Sequence, residues 1–175
     1  MAINQDIHFD KEKFKQVLHH IISKVGTLDN VGKTVLFKML YFSDFDYYEL
    51  NEIPITGEKY VKLAHGPAPF DFNDVISELE DEEKIKKIDT KYKGLPQIKF
   101  LSLCKPNLTL LNANELQLIE KAISKLSSMS ANQVSSYSHE DMPWKATKDN
   151  EEIDYELVFY RNPTFSVIEE NAQIC

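Results

Sequence analysis

His139, Glu140 and Asp141 stand side by side and put a histidine next to two carboxylates. Two more groups could join them from a distance. Asp44 sits in a run of aromatic and aliphatic residues, and His65 directly precedes Gly66-Pro67. A histidine with a carboxylate can serve acid–base catalysis, and a histidine with several carboxylates can hold a metal. The spacing of a strong metal site is missing, however. There is no His-Glu-x-x-His pattern, and His19-His20 diverge on adjacent faces of a helix. The two cysteines, Cys104 and Cys175, form neither a metal spacing nor a disulfide framework. A Gly-x-Ser-x-Gly elbow, a phosphate loop and a dinucleotide fingerprint are also missing. Two readings stand at this level. One is a small hydrolase or transferase cleft joining His139, Asp44 and His65. The other is structural: a histidine in a turn beside Pro143 and Trp144 caps a helix end or hydrogen-bonds a backbone carbonyl. No metal and no cofactor is expected.

Asp44 needs a partner on either reading, because a carboxylate on an otherwise apolar helix is costly to bury alone. Lys38, His65, His139 and water are the options. Around it, Phe37, Leu40, Tyr41, Phe42, Phe45, Tyr47 and Tyr48 make a helix that is apolar nearly all round, the mark of a central buried element. This second helix is expected to open at Asp29 or Asn30 and run to about Leu50. Before it, Asp10 is a good N-cap for a helix with the stripe Phe14, Val17, Leu18, Ile21, Ile22 and Val25, which Gly26 stops. After it, Pro54, Gly57, Gly66, Pro67 and Pro69 punctuate a segment with one short strand, Tyr60 to Leu63. A third helix is expected over Phe70 to Asp81, then a hairpin of two strands, Lys84 to Tyr92 and Gln97 to Leu103. Lysines at 84, 86, 87, 91, 93 and 99 would guard its exposed edge. Asn112 with Glu115, and Ser130 with Gln133, are capping-box spacings that open two more helices. His139 to Thr147 reads as a loop, and Ile153 to Tyr160 as either strand or helix. The fold class is therefore α+β: a mainly α-helical single domain, residues 1–175, with a small antiparallel β-hairpin or sheet. The polar tail, about 169–175, is expected to fray.

Composition narrows the partners. The chain has 175 residues, a net charge of −8 and a single arginine, Arg161, with lysines interleaved among acids. Phosphate binding by counterion release needs clustered cations, so direct nucleic-acid binding is not expected. An acidic surface suits a basic partner, although the same charge also serves plain solubility. No run of roughly eighteen apolar residues occurs, so no membrane span is expected. The opening residues lack the cationic and apolar regions of a signal peptide, which with the sparse cysteines points to the cytoplasm.

Three stretches carry a resemblance. Lys38-Met39-Leu40-Tyr41-Phe42-Ser43-Asp44-Phe45 is followed by Pro54-Ile55-Thr56-Gly57-Glu58-Lys59-Tyr60 with His65-Gly66-Pro67-Ala68-Pro69, and much later by Ser138-His139-Glu140-Asp141-Met142-Pro143-Trp144. In order and spacing they resemble the signatures of the SocA-like Panacea domain family. Each is short, and the ordered set is the specific signal. It spans roughly Phe14 to Ala146, with the motif-bearing part at about 10–147. Two departures are visible: Asn51-Glu52-Ile53 lacks the glycine common before the Pro-Ile-Thr-Gly stretch, and His65 stands where an aromatic is common. The resemblance implies a bacterial or phage antitoxin that neutralises a cognate toxin by direct binding. Some members act instead as adaptors that hand the toxin to a protease. The motif positions then become candidate binding residues: Tyr41, Asp44, Thr56, Gly57, Tyr60, His65, Gly66, Pro67, His139, Pro143 and Trp144. Glycines free to take positive φ, beside prolines that fix it, could make a rigid platform, though they also simply mark turns. The segments are expected to meet in one contiguous patch.

Overall fold

The computed structural model describes residues 6–168, so the tail expected to fray lies outside the described residues. The first helix, α1 (Lys11–Val25), starts where Asp10 accepts a hydrogen bond from the Lys13 amide, 3.0 Å away. Gly26 ends it for a reason of space. A Cβ there would sit 2.3 Å from the Phe100 carbonyl oxygen, so glycine lets the helix end touch a strand.

Helix α2 (Lys33–Asn51) is the centre of the molecule. It packs against α1, a later helix pair, a β-ribbon and a 3-10 helix. Leu36, Met39, Leu40, Tyr41 and Phe45 on it are all buried. It opens later than expected because Asn30 is used elsewhere. The Asn30 amide donates to the carbonyls of Ser127 and Met129, each at 2.8 Å, and so ties down the end of another helix. Gly32 takes the cap position without a side-chain bond.

Strands β1 (Tyr60–Leu63) and β2 (Gly66–Pro69) form an antiparallel ribbon, with Lys62 opposite Pro67. Sequence punctuation hid β2, because two prolines in four residues argue against a strand. The geometry resolves this. The Phe70 amide donates to the Lys59 carbonyl at 2.8 Å. By the two-residue period, the amides of positions 66, 68 and 70 face β1, while the donor-less nitrogens of Pro67 and Pro69 face away from it. The other edge of β1 bonds the chain near Glu151–Ile153, with Lys62 N–H donating to the Glu151 carbonyl and Ile153 N–H to the Tyr60 carbonyl.

Helix α3 (Phe72–Asp81) begins two residues after the expected Phe70, which is exposed. The expected hairpin is present as β3 (Ile85–Tyr92) and β4 (Leu95–Ser102), closed by Lys93 and Gly94, both at positive φ. Lys99 is not an edge guard. Its ammonium donates to the Leu28 carbonyl at 2.8 Å.

Helix α4 (Ala113–Leu126) starts at Asn112, and α5 (Ala131–His139) starts at a complete Ser130/Gln133 capping box. Two elements replace expected irregular or ambiguous chain. Residues Met142–Ala146 form the short helix α6, with Pro143 at its first turn, where a missing N–H costs nothing. Tyr155–Tyr160 is a 3-10 helix that Asp154 caps. The fold is α+β and mainly helical, with two small antiparallel ribbons. Among the described residues, no helix is long and apolar enough to cross a membrane.

Leu40 is buried in the middle of the central helix, so Leu40→Ala removes transfer energy and leaves a cavity. We expect a loss of about 2–5 kcal/mol in urea unfolding. A loss of a few tenths would mean that α2 is not the organising element.

Candidate functional site

The signature residues are brought together from the end of α2 outward. Past Asn51 the chain reverses at Glu52, which takes the left-handed conformation with φ 58°. Ile55 and Thr56 then run back beside the helix, and Asp44 catches them. Its Oδ1 accepts the Thr56 amide at 2.7 Å. Its Oδ2 accepts the Thr56 hydroxyl at 2.6 Å and the Tyr60 hydroxyl at 2.7 Å. Asp44 is 1% exposed. Burial pushes its carboxyl above the usual range, and the bonds from Thr56 and Tyr60 work against that shift. None of Lys38, His65 and His139 is its hydrogen-bond partner. Gly57, at φ 73°, passes so close to the chain before α1 that a Cβ would lie 2.2 Å from the His8 carbonyl oxygen. The Asp10 amide donates to the Thr56 carbonyl at 2.8 Å, so this loop is pinned from both sides.

The ribbon β1–β2 is packed in the same manner against α2 and α5. Gly66 has φ 111°, and a Cβ there would meet Lys38 Cε at 2.4 Å and Ser138 Oγ at 2.5 Å. Lys38 is 1% exposed and donates to the Pro67 carbonyl at 3.1 Å. No carboxylate is in ion-pair range of it among the described residues, and burial pulls its amine down to about 7. His139, at the end of α5, stacks on Trp144 with ring centroids 4.0 Å apart. On the same indole, the Lys62 ammonium lies 3.9 Å from the ring centroid. Burial lowers the His139 pKa, as do the charges of Lys38, His65 and Lys62, against a hydrogen bond with the Ala64 backbone. The buried atoms His139 Nε2 and Trp144 Nε1 have no hydrogen-bond partner among the described residues. His65 itself is exposed at the ribbon tip, and Pro143 is buried. The motifs are therefore contiguous through Gly66, Ser138 and Lys38. They do not place His139, His65 and Asp44 in one cleft.

The most connected polar residue is one that the motifs do not include. The side chain of Arg161, the only arginine, is fully buried. Its Nε and Nη2 grip Asp141 in a bidentate pair at 2.9 and 2.7 Å. Its Nη1 reaches Asp46 at 2.8 Å and Glu49 at 3.2 Å. Tyr41 adds its hydroxyl to Asp141 at 2.9 Å. Glu49 in turn accepts the Ser166 hydroxyl and the Val167 amide. Burial raises Asp46 to about 6 against the pull of Arg161. The signal was present in the sequence: Asp44, Asp46 and Glu49 interrupt an apolar helix, and a lone arginine is a cation held for a special place. Among the described residues no His, Cys, Asp and Glu group could hold a metal.

Two expectations follow. Arg161→Met strands three carboxylates that share its charge, so it should cost about 3–5 kcal/mol in urea unfolding; a neutral result would show that the network carries no weight. Lys38 gives a pH signature. Its amine, with an ordinary value of 10.5, is neutral in the folded protein above about 7. The unfolded chain keeps that proton up to about 10, so stability rises with pH across the window. Glu58, pushed up to about 8 by burial, opposes the rise below that value. Between about pH 8 and 10 the wild type should gain up to about 2–3 kcal/mol, and Lys38→Met should be flatter. Equal slopes would refute a neutral buried Lys38.

Residues 36–145, well over half of the chain, match the family described as antitoxin SocA-like, Panacea domain. The match takes in α2 from Leu36 onward, the ribbon and α6 up to Lys145, but begins after α1 and ends before Arg161. No curated protein and no solved structure matches. With its signature segments in order and interlocked as described, the chain belongs to the SocA-like Panacea domain family of antitoxin-like proteins.

Proposed function

We propose that this protein neutralises a toxin in the cytoplasm by binding it stoichiometrically. The observation that carries the reading is how the signature side chains are used. Asp44 is spent on Thr56 and Tyr60, and Gly66 makes room for Lys38 and Ser138. These groups fix a rigid scaffold, and rigidity lowers the ordering cost of binding a partner. The family match supports a toxin as the partner class.

The test is rescue of cells expressing the toxic product of a neighbouring reading frame, over a range of expression ratios. Rescue should require at least one antitoxin per toxin. His139→Asn, which keeps a hydrogen-bonding amide, should retain most of it. His139→Ala should retain less, because the stack on Trp144 and the tie to Ala64 are both lost. Rescue at strongly sub-stoichiometric ratios, abolished equally by both changes, would make the protein an enzyme instead.

A further inference from the structure

A groove lies where the chain enters α1 and leaves α2. The Pro54–Gly57 signature segment lines it, together with the chain before α1 and the start of the 3-10 helix. It encloses about 690 Å³ and adjoins a second hollow of about 340 Å³ that shares Ile7, Gly57 and Asp154. Its floor is rigid, since Asp44 holds Thr56 from one side and the Asp10 amide holds it from the other.

The groove is partly apolar. Ile7 and Ile53, 41% and 49% exposed, both line it. Phe159, 42% exposed, lies with its ring 6.0 Å from that of Tyr48, another lining residue. Single exposed apolar residues are ordinary, but several around one hollow mark a binding surface.

The rim is acidic. Asp6, Asp10, Glu52, Asp154 and Glu156 line the groove, and among the described residues no lysine or arginine forms an ion pair with any of them. The one lysine in the lining, Lys13, is engaged by Glu115 at 2.8 Å. Tyr48 registers the local field: burial, then its bond to Glu156 and the charges of Asp154 and Glu52, push its hydroxyl up. The lysine-rich hairpin β3–β4 is at the other end of α1, where Phe100 touches Gly26. Fifteen helical residues put about 22 Å between the two ends. Acidic residues thus ring the groove with no lysine of the hairpin near them, whereas at the other acidic stretch, the end of α3, Glu78 and Glu82 are paired with lysines.

We infer that this groove receives a basic segment of the partner protein, its lysine or arginine groups meeting the rim and its aliphatic side chains packing on Ile7 and Ile53. The inference rests on the neutralisation reading for the identity of that partner as a toxin. The chemistry of the groove stands apart from it.

The probe is a fluorescein-labelled peptide of about fifteen leucine and lysine residues, patterned as an amphipathic helix. Its anisotropy is read against full-length protein, beside a leucine–glutamate and a serine–lysine peptide of equal length. Two double variants carry the same net charge: Asp6→Lys/Glu52→Lys in the groove, and Asp81→Lys/Asp89→Lys on α3 and β3. The leucine–lysine peptide should bind the wild type best, about tenfold more weakly the groove variant, and within about twofold as well the control variant. No binding to wild type, or equal weakening in both variants, would overturn the inference. A wild-type dimer in sedimentation velocity that only the groove variant disperses would assign the groove to a second copy, and would also overturn it. The rescue assay separates the two ideas. If wild type and groove variant rescue equally well, the groove is wrong and neutralisation stands. If wild type never rescues but the peptide results hold, neutralisation is wrong and the groove stands.

Discussion

A guanidinium withdrawn from water must find its counter-charges inside the protein, and Arg161 finds them on two separate parts of the chain. Asp46 and Glu49 come from α2, and Asp141 opens α6. The long C-terminal segment is thereby closed over the central helix, and Ser166 and Val167 are clipped to it through Glu49. One cation against three acids leaves an excess of negative charge in a poorly solvated place. Burial above all, with the charges of Asp141 and Glu49 added, raises Asp46 to about 6 against the pull of Arg161. A buried ion network of this kind is a doubtful source of stability but a good source of register, since only one arrangement satisfies every partner.

The signature segments solve a related problem by packing instead of charge. Gly57 and Gly66 each stand where a methyl group would strike another part of the chain. Asp44 takes three donors, the Thr56 amide and hydroxyl from the loop and the Tyr60 hydroxyl from the start of β1, which would otherwise go unpaired. The family pattern is therefore largely a pattern of interlocking. Among the candidate binding residues, only His65 and the partly open His139–Trp144 stack reach toward solvent. The departure at Asn51-Glu52-Ile53 also has a physical meaning. Glu52 occupies the left-handed position that ends α2, where a glycine would meet no steric objection, so this chain carries a small strain there.

Local chemistry was legible in the sequence where a side chain acts on its own neighbourhood. The Asp10 cap, the Asn112 cap and the Ser130 box appear where their spacing puts them, and the β3–β4 hairpin follows its turn. Reading failed where a residue was claimed by a distant one. Asn30 looks like a helix opener but serves the far end of α4. Asp44 needed a partner, with Lys38, His65, His139 and water as the options, whereas the protein uses two hydroxyls and an amide. The Arg161 network joins residues more than a hundred positions apart, which no spacing rule can expose. His139 to Thr147 read as a loop because α6 is too short to show a periodic stripe.

The two prolines of β2 bear on how the ribbon can be recognised. Pro67 and Pro69 remove amide donors from the edge that β1 does not occupy, while β1 itself is flanked on its other side by the chain near Glu151–Ile153. The Pro67 carbonyl on that edge is already taken by the buried Lys38 ammonium, so an incoming extended chain would find neither N–H groups nor that acceptor, and the ladder could not be continued. The ribbon is thus a sealed border. Neither a partner nor another copy can recruit it by strand addition, and specificity at this face is left to side chains alone.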